Sequence, residues 1–478
     1  MFLWIRHCVA EKRGTRNEER GTRNEVDPRS LRTRVEIFRL NRAGMSVVTL
    51  QVGQCGSQVG SELLTQLWKD ACGSVLGLGS KDREYRETSL ERFFSVSSRG
   101  ESVARAVLVD MEPKAVRASV ASARRAGWSY HSHSVFHQQR GSGNNWAYGY
   151  GVAGTRWGKD VMAIVRMQVE QCDRLAGFLP ILSLAGGTGS GLGSRLTQLL
   201  RDEYPKAFIV NHVTWPFNSG EVIVQSYNAM LSLAALHDAA DAVLFHENDG
   251  LHDACRQHLG LARPALRDLN RLIAQHLATV MQPARPPTLP FYSCDPLGDL
   301  AGSLVPSPEF RLVSVQAVPE LAEDIRDFTC YLWTSLLRDL TTGSRRCNSM
   351  KSPSHPSCVS RLLILRGKDT DSAEYAKLAA PSSFPAWVPP ERGLTVWTCS
   401  RPLGGHEKSV ALLTNELPAS LDDSLRRAWD MFGARAYIHQ YIEHGVTEDD
   451  FLSSFSVLEQ VLSSYRHLAT SLICDWIS

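Results

Sequence analysis

Short apolar runs alternate with helix-length segments along the chain from Met45 onward. The apolar runs predict five strands, at residues 47–50, 106–109, 181–184, 208–213 and 243–245. The segments 161–172 and 192–204 have the length and pattern of helices. Continuous apolar strands separated by helices are typical of a parallel sheet whose two faces are both covered, and such sheets bind ligands at the carboxyl ends of their strands. The pattern therefore predicts an α/β fold with a doubly wound parallel sheet, and it places the chemistry in the loops that follow the strands.

The next part of the chain predicts a mixed α/β region. A helical apolar stripe, expected to pack against the sheet, is formed by Leu266, Leu269, Ile273, Leu277 and Val280. Strand-like runs follow at 310–315, 361–365 and 394–399. Residues 341–360 are rich in Ser, Pro, Arg and Lys, which predicts an irregular surface loop.

Two amphipathic helices are predicted near the end of the chain. Their apolar stripes are Leu421, Leu425, Ala428, Trp429 and Phe432 in the first, and Phe451, Phe455, Leu458, Leu462 and Tyr465 in the second. Thr447 followed by Asp450 predicts a capping box at the start of the second helix. We expect both stripes to pack onto the body of the protein.

Composition and charge narrow the class of protein. The 478 residues are 43% hydrophobic and 21% charged, which excludes collagen-like, disordered and coiled-coil chains and suggests two or three domains. The net charge is +2, but residues 1–44 alone carry 11 basic and 6 acidic side chains, so the remainder carries −3. Nothing in this balance calls for nucleic acid or a membrane surface as a partner. No apolar run reaches the ~18–20 residues of a membrane helix, and the 11 cysteines include no C-x-x-C pair, so we expect a soluble intracellular protein with reduced thiols.

Residues 1–44 differ in style from the rest. The polar run RGTRNE occurs at 13–18 and again at 20–25, a spacing of seven residues. It offers little apolar surface to bury, so this basic extension is predicted to be flexible. It is either a targeting arm or an upstream extension outside the functional body, and we favour the second interpretation.

Four loops follow predicted strands and carry the candidate chemistry. The strongest is AGGTGSG at residues 185–191, where glycine amides at a helix start can cradle phosphate. It lacks the Gly-Lys-Ser/Thr of a P-loop and the G-x-G-x-x-G of dinucleotide folds. The others are GQCGSQVG at 53–60, VDMEP at 109–113 and GSGNNW at 141–146. Asp110 and Glu112 are suited to hold Mg²⁺ through water beside phosphates, so the four loops together predict a triphosphate site without a lysine.

These motifs, in this order, resemble the tubulin family closely, and the likeness runs from Met45 to about Tyr465. The resemblance implies a tubulin-like GTPase fold with a GTP-binding domain at 45–255, an intermediate domain with its linking helix at 256–418, and a C-terminal helical region at 419–478. GTP and Mg²⁺ are the implied cofactors, and other tubulins or microtubules are the implied partners.

The family's site maps onto this sequence residue by residue. The phosphates and their metal ion would be contacted by Gln54, Cys55, Asp110, Glu112, Gly143, Asn144, Asn145, Gly186, Gly187, Thr188, Gly189 and Ser190. Guanine would be read by Asn248 and Asn270, whose amides complement its donor and acceptor edge, and ribose would be met by Tyr227 and Asn228. Two positions depart from the family: Gln225 replaces a ribose-binding carboxylate, and Leu266 replaces the aromatic ring that stacks on the base.

Hydrolysis in this family crosses a subunit contact, and Asp299 occupies the position of the acidic residue that orients water against a neighbour's GTP. The alternative is an exposed carboxylate at a helix start. The chain lacks the acidic tail of the bulk microtubule subunits. Its runs RAVLVDMEPK and GSGNNWAYGY are most similar to delta-type members of the family. That similarity implies a protein of the cytoplasm, cytoskeleton, centrosome, centriole and cilium base, with the nucleus as a further option. It also implies that the protein is required for triplet microtubules and cilium formation. A non-catalytic paralogue with weak or no GTP binding stays open as the alternative, and a dehydrogenase is disfavoured by the missing fingerprint.

Overall fold

A ten-stranded sheet forms the centre of the molecule. The computed structural model describes residues 45–73, 80–220, 222–288, 295–321, 331–347 and 358–468, and these described residues form one compact unit. The strands of this sheet are β1 (Ser46–Val52), β4 (Ala106–Asp110), β6 (Val135–His137), β7 (Leu175–Ser183), β8 (Phe208–Trp215), β9 (Ala242–Glu247), β10 (Leu312–Val318), β11 (Arg361–Gly367), β12 (Leu394–Cys399) and β13 (Lys408–Asn415). A second, small sheet contains β2 (Phe94–Val96), β3 (Ser102–Ala104) and β5 (Ser129–Tyr130).

The strand order in the large sheet is β12-β11-β13-β10-β9-β8-β7-β1-β4-β6. Every pair from β10 to β6 is parallel, which confirms the parallel sheet predicted from the apolar runs. Beyond β10 the sheet becomes mixed, because β13 pairs antiparallel with both β10 and β11. The apolar runs of the sequence did not predict β6 or β13 of this sheet, although Val410–Leu413 of β13 form an apolar run that is completely or almost completely buried.

The helices cover both faces of the sheet. They are α1 (Gly53–Cys72), α2 (Ser80–Phe93), α3 (Pro113–Ala126), α4 (Gly154–Glu170), α5 (Gly193–Glu203), α6 (Gln225–Ala239), α7 (Asn248–Gln257), α8 (Leu266–Met281), α9 (Pro296–Leu304), α10 (Trp333–Cys347), α11 (Leu421–Gly433), α12 (Ile438–Ile442) and α13 (Glu448–Arg466). One core packs α4, α5, α6 and α11 to α13 against one face, and a second core packs α1, α3, α8 and α9 against the other. This arrangement confirms the doubly wound architecture.

The predicted C-terminal helices are present and pack onto α6, as expected from their stripes. Phe451 and Phe455 are fully buried and meet the ring of Tyr227 on α6. The capping box at the start of α13 is confirmed, since Asp450 N donates to Thr447 Oγ1 and Thr447 N donates to Asp450 Oδ2.

Two expectations about the mixed region need correction. The predicted surface loop 341–360 is wrong at both ends, because α10 continues to Cys347 and residues 358–360 are buried beside β11. The helix continues because Leu336, Leu337 and Leu340 anchor its first turns against the sheet. Residues 348–357, like the extension 1–44 and the tail 469–478, lie outside the described residues. The apolar stripe of α8 is buried at Leu269, Ile273, Leu277 and Val280, but its first member, Leu266, is 47% exposed.

Candidate functional site

The four predicted loops meet at one edge of the sheet. They follow β1, β4, β6 and β7, which are neighbours in the order β7-β1-β4-β6 and run parallel, so their carboxyl ends lie side by side. A cavity of 560 Å³ opens at that edge and is lined by all four loops and by the starts of α7 and α8. This is the position that the sequence predicted for the chemistry.

Direct contacts join the loops to one another. Ser142 Oγ and Thr188 Oγ1 are 2.8 Å apart, which links the third loop to the glycine loop. A Cβ built on Gly53 would lie 3.0 Å from the amide nitrogen of Gly189, so only glycine allows the first loop to approach this closely. Gly187 is confined even more tightly, because its Cβ would lie 2.6 Å from Asn145 O and 2.7 Å from Ser142 Cβ.

Most residues that sequence analysis assigned to the site line the cavity. They are Gln54, Cys55, Asp110, Glu112, Gly143, Asn144, Gly186, Gly187, Thr188, Gly189, Asn248 and Asn270. The structure places the other four, Asn145, Ser190, Tyr227 and Asn228, behind the wall of the cavity. Asn145 Nδ2 donates to Gln440 O at 3.0 Å, Ser190 Oγ donates to Gly186 O, and Tyr227 OH donates to Ala436 O at 3.1 Å. For these four residues, contact with a ligand stays a prediction. Their hydrogen bonds in the structure join the loops to each other or to neighbouring segments of the protein.

Asn228 is the centre of that support. It is fully buried on α6, and its Nδ2 donates to Asn144 O and to Ala185 O, both at 2.8 Å. Its Oδ1 accepts from Trp146 N at 3.0 Å and from Tyr441 OH at 2.6 Å. All hydrogen-bonding positions of the amide are thereby used, so one side chain holds two cavity loops and α12 together.

The metal-binding candidates lie at the second loop. Asp110 is 5% exposed at the end of β4, and burial, with a smaller contribution from nearby Glu112, raises its pKa to about 6. Glu112 is exposed and its carboxylate lies against Gly141, where a Cβ would clash with it. Groups of three or more His, Cys, Asp or Glu side chains suited to a metal ion are absent from the described part of the chain. Two carboxylates beside phosphate fit Mg²⁺, which takes its remaining ligands from water and phosphate oxygens.

The other end of the cavity carries amides and apolar side chains. Asn270 Nδ2 donates to Gln58 Oε1 at 2.9 Å, which leaves its Oδ1 as an acceptor. Gln225 Nε2 donates to Phe217 O at 2.7 Å, while its buried Oε1 has no hydrogen-bond partner among the described residues. Phe217 and Leu266 line this end as well. Gln225 therefore offers the cavity an acceptor, as the family's carboxylate would, without the negative charge.

A chain of imidazoles stands behind this end. His212 Nε2 lies 3.0 Å from His246 Nδ1, and His246 Nε2 lies 3.1 Å from His276 Nδ1. His276 Nε2 lies 3.0 Å from Glu320 Oε1. A carboxylate only accepts, so each ring donates through Nε2 towards the glutamate, and His246 and His276 accept through Nδ1. Burial lowers the pKa of His212 to about 3 and that of His246 well below its usual range.

Gln58, Lys114 and Phe217 also line the cavity, although they were not assigned to the site from the sequence. Gln58 lies on α1 one turn beyond Gln54, so helical spacing could have indicated it. Lys114 follows the VDMEP motif directly, and the prediction of a site without a lysine is therefore wrong for the cavity as a whole. Phe217 follows β8, a parallel neighbour of β7 whose carboxyl end lies at the same edge of the sheet.

Asp299 lies far from the cavity. It is exposed in the first turn of α9, whose Gly298 packs against the ring of Phe208 at the start of β8. The cavity lies at the other end of β8, beside Thr214 and Phe217. Since the eight residues of β8 rise ~3.3 Å from one to the next, about 23 Å separate the two ends.

Comparison with known proteins agrees with this geometry. Residues 46–256 match the family described as the Tubulin/FtsZ family, GTPase domain. The tubulin delta chain of Homo sapiens is 40% identical over 453 residues, which cover 89% of this chain and all of the relative. The chain therefore belongs to the tubulin family and carries its GTPase domain.

Within the family, the similarity points to one branch. The tubulin delta chain of Canis lupus familiaris is also 40% identical over 89% of this chain, whereas the tubulin beta-1 chain of Mus musculus is 28% identical over 88%. The chain is thus much more similar to delta chains than to beta chains. The described residues contain no helix long and apolar enough to cross a membrane.

Proposed function

We propose that the protein binds GTP with Mg²⁺ in the cavity at the carboxyl edge of the sheet. The amides of the glycine loop, with Gly143 and Asn144, would hold the phosphates, and Asp110 and Glu112 would hold the metal ion. When bound, Mg²⁺ supplies positive charge between phosphate oxygens. Gln225 would accept a hydrogen bond from a ribose hydroxyl.

One observation carries the choice of guanine. Asn248 and Asn270 line the same cavity as the glycine loop, and the hydrogen bond that Asn270 Nδ2 donates to Gln58 orients the Asn270 amide so that its Oδ1 can accept. Guanine presents N–H donors at its N1 and N2 positions, whereas adenine presents an acceptor at N1. An amide acceptor held in place therefore favours guanine over adenine.

The test is to identify the nucleotide that the purified protein carries and then to substitute a residue proposed to contact the base. Chromatography of the denatured protein should release GTP or GDP in near-equal molar amount. Asn248→Ala should weaken GTP binding about tenfold, as expected for one lost hydrogen bond to a buried group. Asn218→Ala, on the exposed loop nearby, is the matched control and should bind as the unmodified protein does. Protein that carries no guanine nucleotide, and does not bind added GTP, would refute the proposal.

We further propose that hydrolysis takes place between two subunits. Asp299 and the cavity lie at opposite ends of β8, so Asp299 cannot reach the nucleotide of its own chain, yet a head-to-tail neighbour would bring the two together. Such a contact joins different surfaces and extends into a filament when it does not close. Asp299→Ala should slow GTP turnover on the neighbouring subunit whose nucleotide lies against Asp299. Asp160→Ala, at an exposed position of α4, should not. An unchanged rate for Asp299→Ala would remove the assignment.

The assembly partners proposed here are other tubulins, at the microtubules of the centriole and cilium base. The similarity to delta chains supports this location, together with the family's habit of head-to-tail association. Neither nucleic acid nor a membrane is among the proposed partners. A second candidate is a non-catalytic paralogue with weak GTP binding, which the exposed Leu266 favours because no ring stacks on the base from that position.

A further inference from the structure

A lysine lies in the wall of the cavity, where the loop motifs alone predicted none. Among the described residues that line the cavity, Lys114 is the sole cation, and the other charged side chains there are Asp110 and Glu112. A triphosphate carries several negative charges, so two carboxylates alone would repel it. Mg²⁺ would cancel the charge of the carboxylates, and the ammonium group of Lys114 adds the positive charge that the lining otherwise lacks.

The position of Lys114 in its helix is unfavourable without an anion. It is the second residue of α3, which begins at Pro113 and has no acidic residue in its first turn. Glu112 precedes the helix and makes no capping hydrogen bond to it. The amino end of a helix carries partial positive charge, so a lysine there is repelled by the helix and a bound anion relieves the repulsion. Local violations of this kind are typical of functional sites.

The side chain of Lys114 is also available to a ligand. It is exposed, and the ion pairs found among the described residues do not include it, although two carboxylates lie within four positions in the sequence. The carboxylate of Glu112 instead lies against Gly141. The ammonium group can therefore turn into the cavity without breaking a visible contact.

We propose that Lys114 binds the terminal phosphate of the nucleoside triphosphate and makes this site distinguish triphosphate from diphosphate. The inference rests on the proposed function. Lys114 shares its segment with Asp110 and Glu112, which would hold Mg²⁺, and that ion would supply positive charge to the terminal phosphates, so this segment would face the terminal end of the chain of phosphates. Lysine serves as a point-charge phosphate ligand of this kind in other nucleotide sites.

The experiment measures the dissociation constants of two nucleotides by titration calorimetry on the full chain with Mg²⁺. The nucleotides are GDP and a GTP analogue with a β,γ-imido bridge, which is not hydrolysed. Lys114→Met should weaken binding of the analogue about tenfold and that of GDP by less than about twofold, the difference expected for one charge-assisted hydrogen bond. Lys114→Arg should restore most of the affinity for the analogue. Lys159→Met, an exposed lysine on α4, is the matched control and should change neither constant.

Two results would overturn the inference while the proposed function stands: unchanged binding of the analogue by Lys114→Met, or equal weakening for the analogue and for GDP. Failure of the unmodified protein to bind either nucleotide would instead refute the proposed function, and Lys114 with it. Thermal unfolding of the nucleotide-free variants checks that each one is folded before titration.

Discussion

Replacing Asn228 tests whether this residue supports the cavity or contacts the ligand. The Asn228→Ala variant loses four hydrogen bonds, two donated to Asn144 O and Ala185 O and two accepted from Trp146 N and Tyr441 OH. A buried polar group left without a partner costs about 1–3 kcal/mol, and water from the cavity can reach some of the four. We therefore expect the variant to lose about 3–5 kcal/mol of the free energy of unfolding, a large part of the ~5–15 kcal/mol typical of folded proteins.

The assay is urea unfolding of the nucleotide-free protein, followed by circular dichroism and tryptophan fluorescence. Tyr441→Phe is the matched control, because it removes one of the four bonds and should cost about 1 kcal/mol. If Asn228 acted mainly on the ribose, its replacement would change nucleotide affinity and leave the nucleotide-free protein as stable as before. A loss for Asn228→Ala no larger than that for Tyr441→Phe would refute the supporting role.

Three further predictions follow from the contacts of the site. Gly187→Ala should abolish nucleotide binding because its Cβ would strike the backbone of the neighbouring loop. Gly433→Ala, at an exposed position of α11 where a Cβ would meet nothing within 4 Å, should bind normally in the same titration. Leu266→Tyr should strengthen GTP binding, since a ring that stacks on the base contributes about 0.5–1.5 kcal/mol. An unchanged or larger dissociation constant for GTP would contradict this prediction. His212 stays neutral in the folded protein but gains a proton in the unfolded chain below pH about 6.5, so the free energy of unfolding should fall as the pH drops from there towards about 3. In urea unfolding, His212→Gln should reduce the dependence of this free energy on pH, between pH 6.5 and 5.5, by about 1 kcal/mol per pH unit.

The sheet and its loops could be predicted because their signals are local. Most of the parallel strands are buried on both faces and so appear as continuous apolar runs, and three of the four loops follow such a run with glycine or polar residues. The exception is β6, which precedes the loop at 141–146, is only partly buried and shows no such run. The parallel order then brings the loops together without further information. Missing β13 shows the limit, since an apolar run of the same kind gives no sign of antiparallel pairing or of its place between β10 and β11.

The roles within the site could not be read from sequence in the same way. Asn228 and Asn145 have polar side chains that suit a ligand, and only the packing shows their amides turned to backbone groups of the loops and of α12. Leu266 belongs to the apolar stripe of α8, yet it sits at the helix start, where the cavity rather than the sheet lies beside it. Such distinctions depend on where distant segments meet, as α6 and α12 do at Asn228.

The separation between Asp299 and the cavity has a consequence for any turnover measurement. An acid at the opposite end of β8 from the cavity cannot position water in the cavity of its own chain, because the attacking water must lie within hydrogen-bond reach of the acid and beside the phosphate that it attacks. On the proposed arrangement, the rate per chain therefore rises with protein concentration until contacts between subunits saturate. A rate per chain that is constant from dilute to concentrated protein would mean that the water is positioned within one subunit. A residue of the cavity lining, such as the exposed carboxylate of Glu112, would then take the role of orienting water in place of Asp299.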